Sequence, residues 1–253
     1  EALVEETQKK DSYHLHYVRI LKGKVKEGTQ GEAVIDSKRR DSAMRNHTAT
    51  HLLHAVLREI LGKQVRQVGS LVHPDRLRFD YSFSRPLAEE ELLKIESRVN
   101  EEILKDAPLQ KELKDFEQAK SEGALAFFGE KYGDRVRVVT VPGISKEFCG
   151  GTHCERTGQI GVFTIISDSS IASGVRRMEA LTGLGALRYT EGLRSQLERA
   201  SEKLRSTPLE VVERIEKLQE RLKKAERESQ ERTPAAVDSK VLMEKSNKVG
   251  NYH

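Results

Sequence analysis

The run Arg45-Asn46-His47-Thr48-Ala49-Thr50-His51-Leu52-Leu53-His54 constrains this chain more than any other stretch. It reads as helix, and residues four apart on a helix share a face, so the imidazoles of His47 and His51 point the same way. Far downstream, Phe148-Cys149-Gly150-Gly151-Thr152-His153-Cys154 sets a thiol and another imidazole in a tight turn. Two glycines let both groups approach one point. A fold that joins these segments gathers His47, His51, Cys149 and His153 into a ligand set for a transition metal, Zn2+ first. His54 and Cys154 are the neighbouring alternatives.

The helix should run from Asp41 or Ser42, as N-cap, to Leu61, with Gly62 closing it. Ala49, Leu52, Leu53, Val56 and Ile60 form one broad apolar face. His47, His51 and His54 form a narrow stripe on the other side beside Arg58, facing water or a cleft. A zinc protease of the H-E-x-x-H type is disfavoured, because Thr48 stands where the general-base Glu belongs. Four protein ligands ordinarily make a closed, structural site, and the sequence leaves open whether this one also reaches substrate.

Around these motifs the patterning predicts an α+β fold, with a mainly antiparallel sheet and packed helices. Residues 1–10 are polar without a periodic face. Strands are expected over Tyr13–Ile20 and Glu32–Asp36, a glycine-punctuated hairpin ending a β-barrel module. Further strands are expected over Val65–Val72, Leu77–Phe83, Leu109–Leu113, Arg135–Val141, Gly161–Ser167 and Val175–Leu181, with helices over Leu87–Lys105 and Asp115–Glu122. From Leu184 the spacing of Leu193, Leu197, Ala200 and Leu204, then Val211, Ile215, Leu218, Leu222 and Ala225, makes two a/d seams. Thr207-Pro208-Leu209-Glu210 between them is a capping box, so an antiparallel helical hairpin closed by its own seam is expected. The expected divisions are 1–40 for the barrel end, 41–183 for a zinc-containing domain and 184–232 for the hairpin. Residues 233–253 are either a disordered tail or the start of a truncated domain.

Two cysteines give no disulfide framework, and no run of 18 apolar residues or signal peptide is present, so a soluble chain in a reducing, cytoplasmic setting is expected. Charged residues make up 33% of the chain, which fits exposed charged helices, and the net charge of +4 permits an anionic partner without requiring one. The first residue is Glu1 instead of an initiator Met, so the chain is expected to be a piece of a longer protein.

The histidine helix resembles the hallmark of the alanyl-tRNA synthetase editing domain. Gln67-Val68-Gly69-Ser70-Leu71-Val72, Leu77-Arg78-Phe79-Asp80, Glu147-Phe148-Cys149-Gly150-Gly151-Thr152-His153 and Gly174-Val175-Arg176-Arg177-Met178-Glu179-Ala180 follow in that family's order. The similarity covers roughly residues 12–230. The threonyl-tRNA synthetase editing domain shares the two metal motifs, but the stretches around Gln67 and Arg176 favour the alanyl type.

The resemblance implies a zinc-containing deacylase that clears seryl- and glycyl-tRNA(Ala), with the tRNA(Ala) acceptor end and the rest of the synthetase as partners. It implies that Gln67 is a pocket residue for editing, that Cys149 belongs to the site, and that Arg176 or Arg177 contacts the RNA backbone. Thr50, between the histidines, and Thr48 beside it are the hydroxyls placed to read a seryl group. The aminoacylation and tRNA-recognition domains of such a synthetase are not in this sequence, so the segment is not expected to activate alanine. A free-standing trans-editing deacylase and a non-enzymatic, zinc-stabilised tRNA-binding module are the alternatives.

Overall fold

The computed structural model describes residues 1–10, 13–126 and 133–232. The tail expectation for 233–253 lies outside them. The chain divides between Arg40 and Asp41 into two compact units.

In the first unit, β1 (Ala2–Lys10) pairs antiparallel with β2 (Tyr13–Ile20), Lys10 standing opposite Tyr13. The hairpin therefore lies earlier than expected. Ala2–Lys10 is a strand, while Glu32–Asp36 forms none. The ladder with β2 decides this. Eight register pairs supply backbone hydrogen bonds to a segment whose side chains alone show no period.

Helix α1 (Ser37–Leu61) begins earlier than its apolar periodicity suggests. The Asp36 carboxylate accepts the Arg39 N–H at 3.0 Å, so Asp36, not Asp41, caps it. Gly62, at φ +109°, takes the left-handed position that ends it, as expected.

A four-stranded antiparallel sheet has the order β3 (Gln67–Val72), β4 (Leu77–Ser82), β9 (Val175–Thr182), β8 (Phe163–Ala172). Its inward residues Leu77, Phe79, Tyr81 and Met178 pack with Leu52, Leu53, Val56 and Leu57 of α1. Ile95 and Val99 of α2 (Glu89–Leu104) complete this core. Each such side chain contributes about 2 kcal/mol on burial. A second antiparallel sheet joins β5 (Gln110–Asp115), β6 (Arg135–Val141) and β7 (Ser145–Phe148). A short helix, α3 (Phe116–Ser121), follows β5, capped by Asp115. β7 has only four residues and no sequence signature, yet it is the strand that delivers Cys149.

Beyond β9, α4 (Gly183–Leu204) and α5 (Val211–Arg232) are joined by the expected capped turn, where Glu210 accepts from the Thr207 hydroxyl at 2.8 Å. The seam is less closed than its spacing suggests. Leu193, Leu197, Leu218 and Leu222 are 40–60% exposed, and among the described residues the buried positions of the two helices are Ala186, Ser201 and Val211. No helix among the described residues is long and apolar enough to cross a membrane.

Candidate metal centre and its cavity

Helix α1 presents His47 and His51 one turn apart. The chain leaves β7 at Phe148, and the Cys149 N–H still donates to the Arg137 carbonyl on β6 at 2.9 Å. The turn that follows is held from the same residue. The Arg137 guanidinium donates to the carbonyl of Cys149 at 3.1 Å and to that of Gly151. One ligand atom from each of His47, His51, Cys149 and His153 lies within 4.8 Å of every other. Cys149 Sγ is 3.3 Å from His47 Nε2 and 3.2 Å from His153 Nε2.

The second nitrogen of each ring is also placed. His47 Nδ1 is 3.2 Å from the Thr152 carbonyl, and His153 Nδ1 is 3.2 Å from the Thr48 hydroxyl. His51 Nδ1 is 3.3 Å from Glu147 Oε2, near enough for charge interaction though not aligned as a hydrogen bond. Such outer partners fix ring orientation in metal sites.

Burial, and then the adjacent His51, lowers the His47 pKa to about 4. Burial lowers His51 and His153 as well. All three are therefore neutral at neutral pH, the form a metal requires. Burial alone would raise Glu147, but His51, His54 and Ser145 outweigh it and hold the group as carboxylate. Three neutral imidazoles and a thiol converging on one point fit a divalent transition metal.

The cluster forms part of the wall of a cavity of about 450 Å³. Thr50 of α1, Gln67 and Ser70 of β3, and Arg135 and Arg137 of β6 also line it. Gln67 Nε2 donates to Ser70 Oγ at 3.3 Å, and Thr50 donates to the Asn46 carbonyl at 2.8 Å. Arg135 and Arg137 alternate along β6, so one strand face gives the cavity its positive charge.

Residues 136–179 match the family model described as the threonyl and alanyl tRNA synthetase second additional domain. An alanine–tRNA ligase of Pseudothermotoga lettingae is 49% identical over 207 residues, 82% of this chain and 24% of that protein. One from Thermotoga maritima is 47% identical over 213 residues, 84% of this chain and 25% of that protein. One from Thermus thermophilus is 48% identical over 234 residues, 90% of this chain and 26% of that protein. Over this span the chain belongs to the alanine–tRNA ligase family. It spans about a quarter of the length of the curated relatives it matches.

The structure sorts the remaining expected site residues. Thr50 and Gln67 line the cavity together with His47, His51 and Cys149. Thr48 does not. It is fully buried, donates to the Met44 carbonyl at 2.9 Å, accepts the Cys154 N–H at 3.1 Å and touches His153. Its hydroxyl is taken up by bonds within the fold, between α1 and the turn that carries His153. The reason is periodic, since Thr48 sits on the core side of α1 and Thr50 on the cavity side.

Arg176 and Arg177 also lie away from the cavity lining. Arg176 is 7% exposed and grips Asp168 Oδ2 through Nε at 3.0 Å and Nη2 at 2.5 Å, while Tyr81 donates to Asp168 Oδ1 at 2.9 Å. Arg177 makes two 2.8 Å bonds to Asp80 across the β4–β9 ladder. The pair therefore ties strands together. His54 binds Glu147 Oε1 at 3.0 Å and Cys154 is buried among core residues, so neither replaces a member of the cluster.

The histidine stripe itself is enclosed, with His51 3% and His54 4% exposed. Sequence reasoning missed Glu147, Arg137, Arg135 and Ser70. Only the β6 pair carried a signal, in its alternation of arginine with valine.

Proposed function

We propose that this segment hydrolyses the ester of tRNA(Ala) mischarged with serine or glycine. The single observation that carries the reading is the shared cavity. His47, His51 and Cys149 of the four-donor cluster form one side, the Thr50 and Gln67 side chains and two arginines form the others, and the chain belongs to the alanine–tRNA ligases. His47, His51, Cys149 and His153 would hold Zn2+. When bound, that ion supplies Lewis acidity toward an ester carbonyl or a water.

The chain's own residues then account for selection. The Thr50 hydroxyl donates to Asn46 and keeps acceptor lone pairs for a seryl O–H. Gln67, held by Ser70, presents an amide from the facing strand. Arg135 and Arg137 attract the phosphates that lead to the terminal adenosine. An alanine site cannot exclude glycine by size, and excludes an added hydroxyl by only about 10²-fold. A second pocket that binds the hydroxyl discriminates better, because an alanyl ester leaves its polar atoms unpaired. The tRNA(Ala) acceptor end, the remainder of the synthetase and a cytoplasmic setting belong to this reading.

The test is deacylation of seryl-, glycyl- and alanyl-tRNA(Ala) by the zinc-loaded protein, with metal content measured alongside. Release of seryl and glycyl esters with the alanyl ester spared is expected. Absence of release from a fully loaded protein would overturn the reading. That outcome would favour a second one, a zinc-stabilised tRNA-binding module, which the four-residue ligand set supports because closed sites are ordinarily structural.

A further inference from the structure

Glu147 is a buried carboxylate, 1% exposed, on β7 two residues before the cluster's Cys149. Its Oε2 lies 3.3 Å from His51 Nδ1, a buried ring nitrogen with no aligned hydrogen bond among the described residues. Its Oε1 accepts from His54 at 3.0 Å and from the Ser145 hydroxyl at 3.1 Å. His51 and His54 are the titratable side chains within reach of it among the described residues, and a neutral imidazole supplies no charge. An isolated buried carboxylate costs several kcal/mol unless a positive charge answers it. Here no lysine or arginine of the described residues does so. His51 is thus shared between this anion and the four-donor group.

We infer that Glu147 is the positioning residue of the metal centre: its carboxylate holds His51 with the proton on Nδ1 and Nε2 turned to the ion, while His54 and Ser145 fix the carboxylate. The missing countercharge of Glu147 is then the divalent ion across the ring. His54, on the same helix stripe as the two ligands, serves as the anchor of the carboxylate instead of a ligand. This inference rests on the metal reading of the cluster and adds a residue that touches neither the ion nor the substrate.

A carboxamide in place of the carboxylate accepts from only one of the two imidazoles and offers an N–H to the other, so Glu147→Gln leaves one ring in the wrong tautomer. Loss of such an outer partner ordinarily lowers metal affinity by about 10- to 100-fold. Two measurements on the whole segment test the assignment. The first is zinc affinity by competition with a chromophoric chelator, for the parent, Glu147→Gln and Ser145→Ala. The second is the ¹⁵N chemical shifts of His51 in the zinc-loaded parent, which distinguish protonated Nδ1 from metal-bound Nε2.

We expect Glu147→Gln to lose about 10- to 100-fold in affinity and Ser145→Ala a smaller factor. We expect the parent's His51 to carry its proton on Nδ1. An unchanged affinity in Glu147→Gln, or a metal-bound Nδ1 in the parent, would overturn the inference while leaving the metal centre standing. A parent that takes up no zinc overturns both. If Glu147→Gln does not fold, the tautomer of the parent's His51 still decides between them.

Discussion

A β-carbon on Gly151 would lie 2.1 Å from Cε1 of His47 and 2.5 Å from its Nδ1. The imidazole occupies the space where any other residue would carry its side chain. At Gly150 a β-carbon meets nothing within 4 Å. We therefore expect Gly151→Ala to displace His47 and to abolish tight zinc binding and deacylation, while Gly150→Ala keeps both within a fewfold. Metal titration of the two variants checks the contrast.

The two threonines of α1 should separate by phenotype. Thr50→Val removes a cavity hydroxyl whose proposed hydrogen bond to a seryl group would be worth about 1 kcal/mol, so seryl release should fall by roughly fivefold with zinc content unchanged. Thr48→Val instead strips His153 of its hydroxyl partner, and its primary effect should be weaker zinc retention. Parallel measurement of metal content and single-turnover deacylation distinguishes them.

Arg176→Ala should act on stability. It leaves Asp168 buried without its guanidinium, a loss of about 3 kcal/mol, with Tyr81 still donating to the carboxylate. Arg177→Ala should be milder, since Arg78 remains 3.6 Å from Asp80. Denaturant unfolding reports the difference. Comparable affinity for tRNA in both folded variants is expected, because neither arginine reaches the cavity.

Acid should loosen the metal-free domain in a defined window. His47 titrates at about 4 in the fold and at 6.5 when unfolded, so between these values the unfolded chain binds more protons. The stabilisation is full above pH 6.5 and is lost as pH falls toward 4, on the order of 3 kcal/mol from His47 alone. His51 and His153 shift in the same direction and add to it. Thermal unfolding of the apo protein across this range checks the sign. Bound zinc should lower the pH at which the fall begins, because it competes with the protons.

The four-donor cluster of His47, His51, Cys149 and His153 was legible because its donor chemistry is written into residue type and spacing. Gly62 and the Thr207 box were legible for the same reason, since each is a local signal. What depended on distant partners was not. Thr48 and Thr50 are alike in sequence, and only the packing against Cys154 and His153 separates them. Arg176 and Arg177 looked like RNA contacts until Asp168 and Asp80 came across the sheet to meet them. β1 could not be seen in Ala2–Lys10 without β2, and Glu147 looked like an ordinary strand glutamate until the fold enclosed it. The seam of α4 and α5 shows the opposite error, where correct spacing did not ensure burial.

Helix α1 is buried on both its sides, from Asn46 through Leu57 with only Ala55 and His47 partly open. Its amide protons should therefore exchange with solvent only when the whole domain opens. An ion held by His47 and His51 raises the free energy of that opening in proportion to the logarithm of its concentration. Occupancy of the centre thus becomes readable along a rod packed mainly in hydrocarbon, well away from any ligand atom, as a uniform slowing of hydrogen exchange.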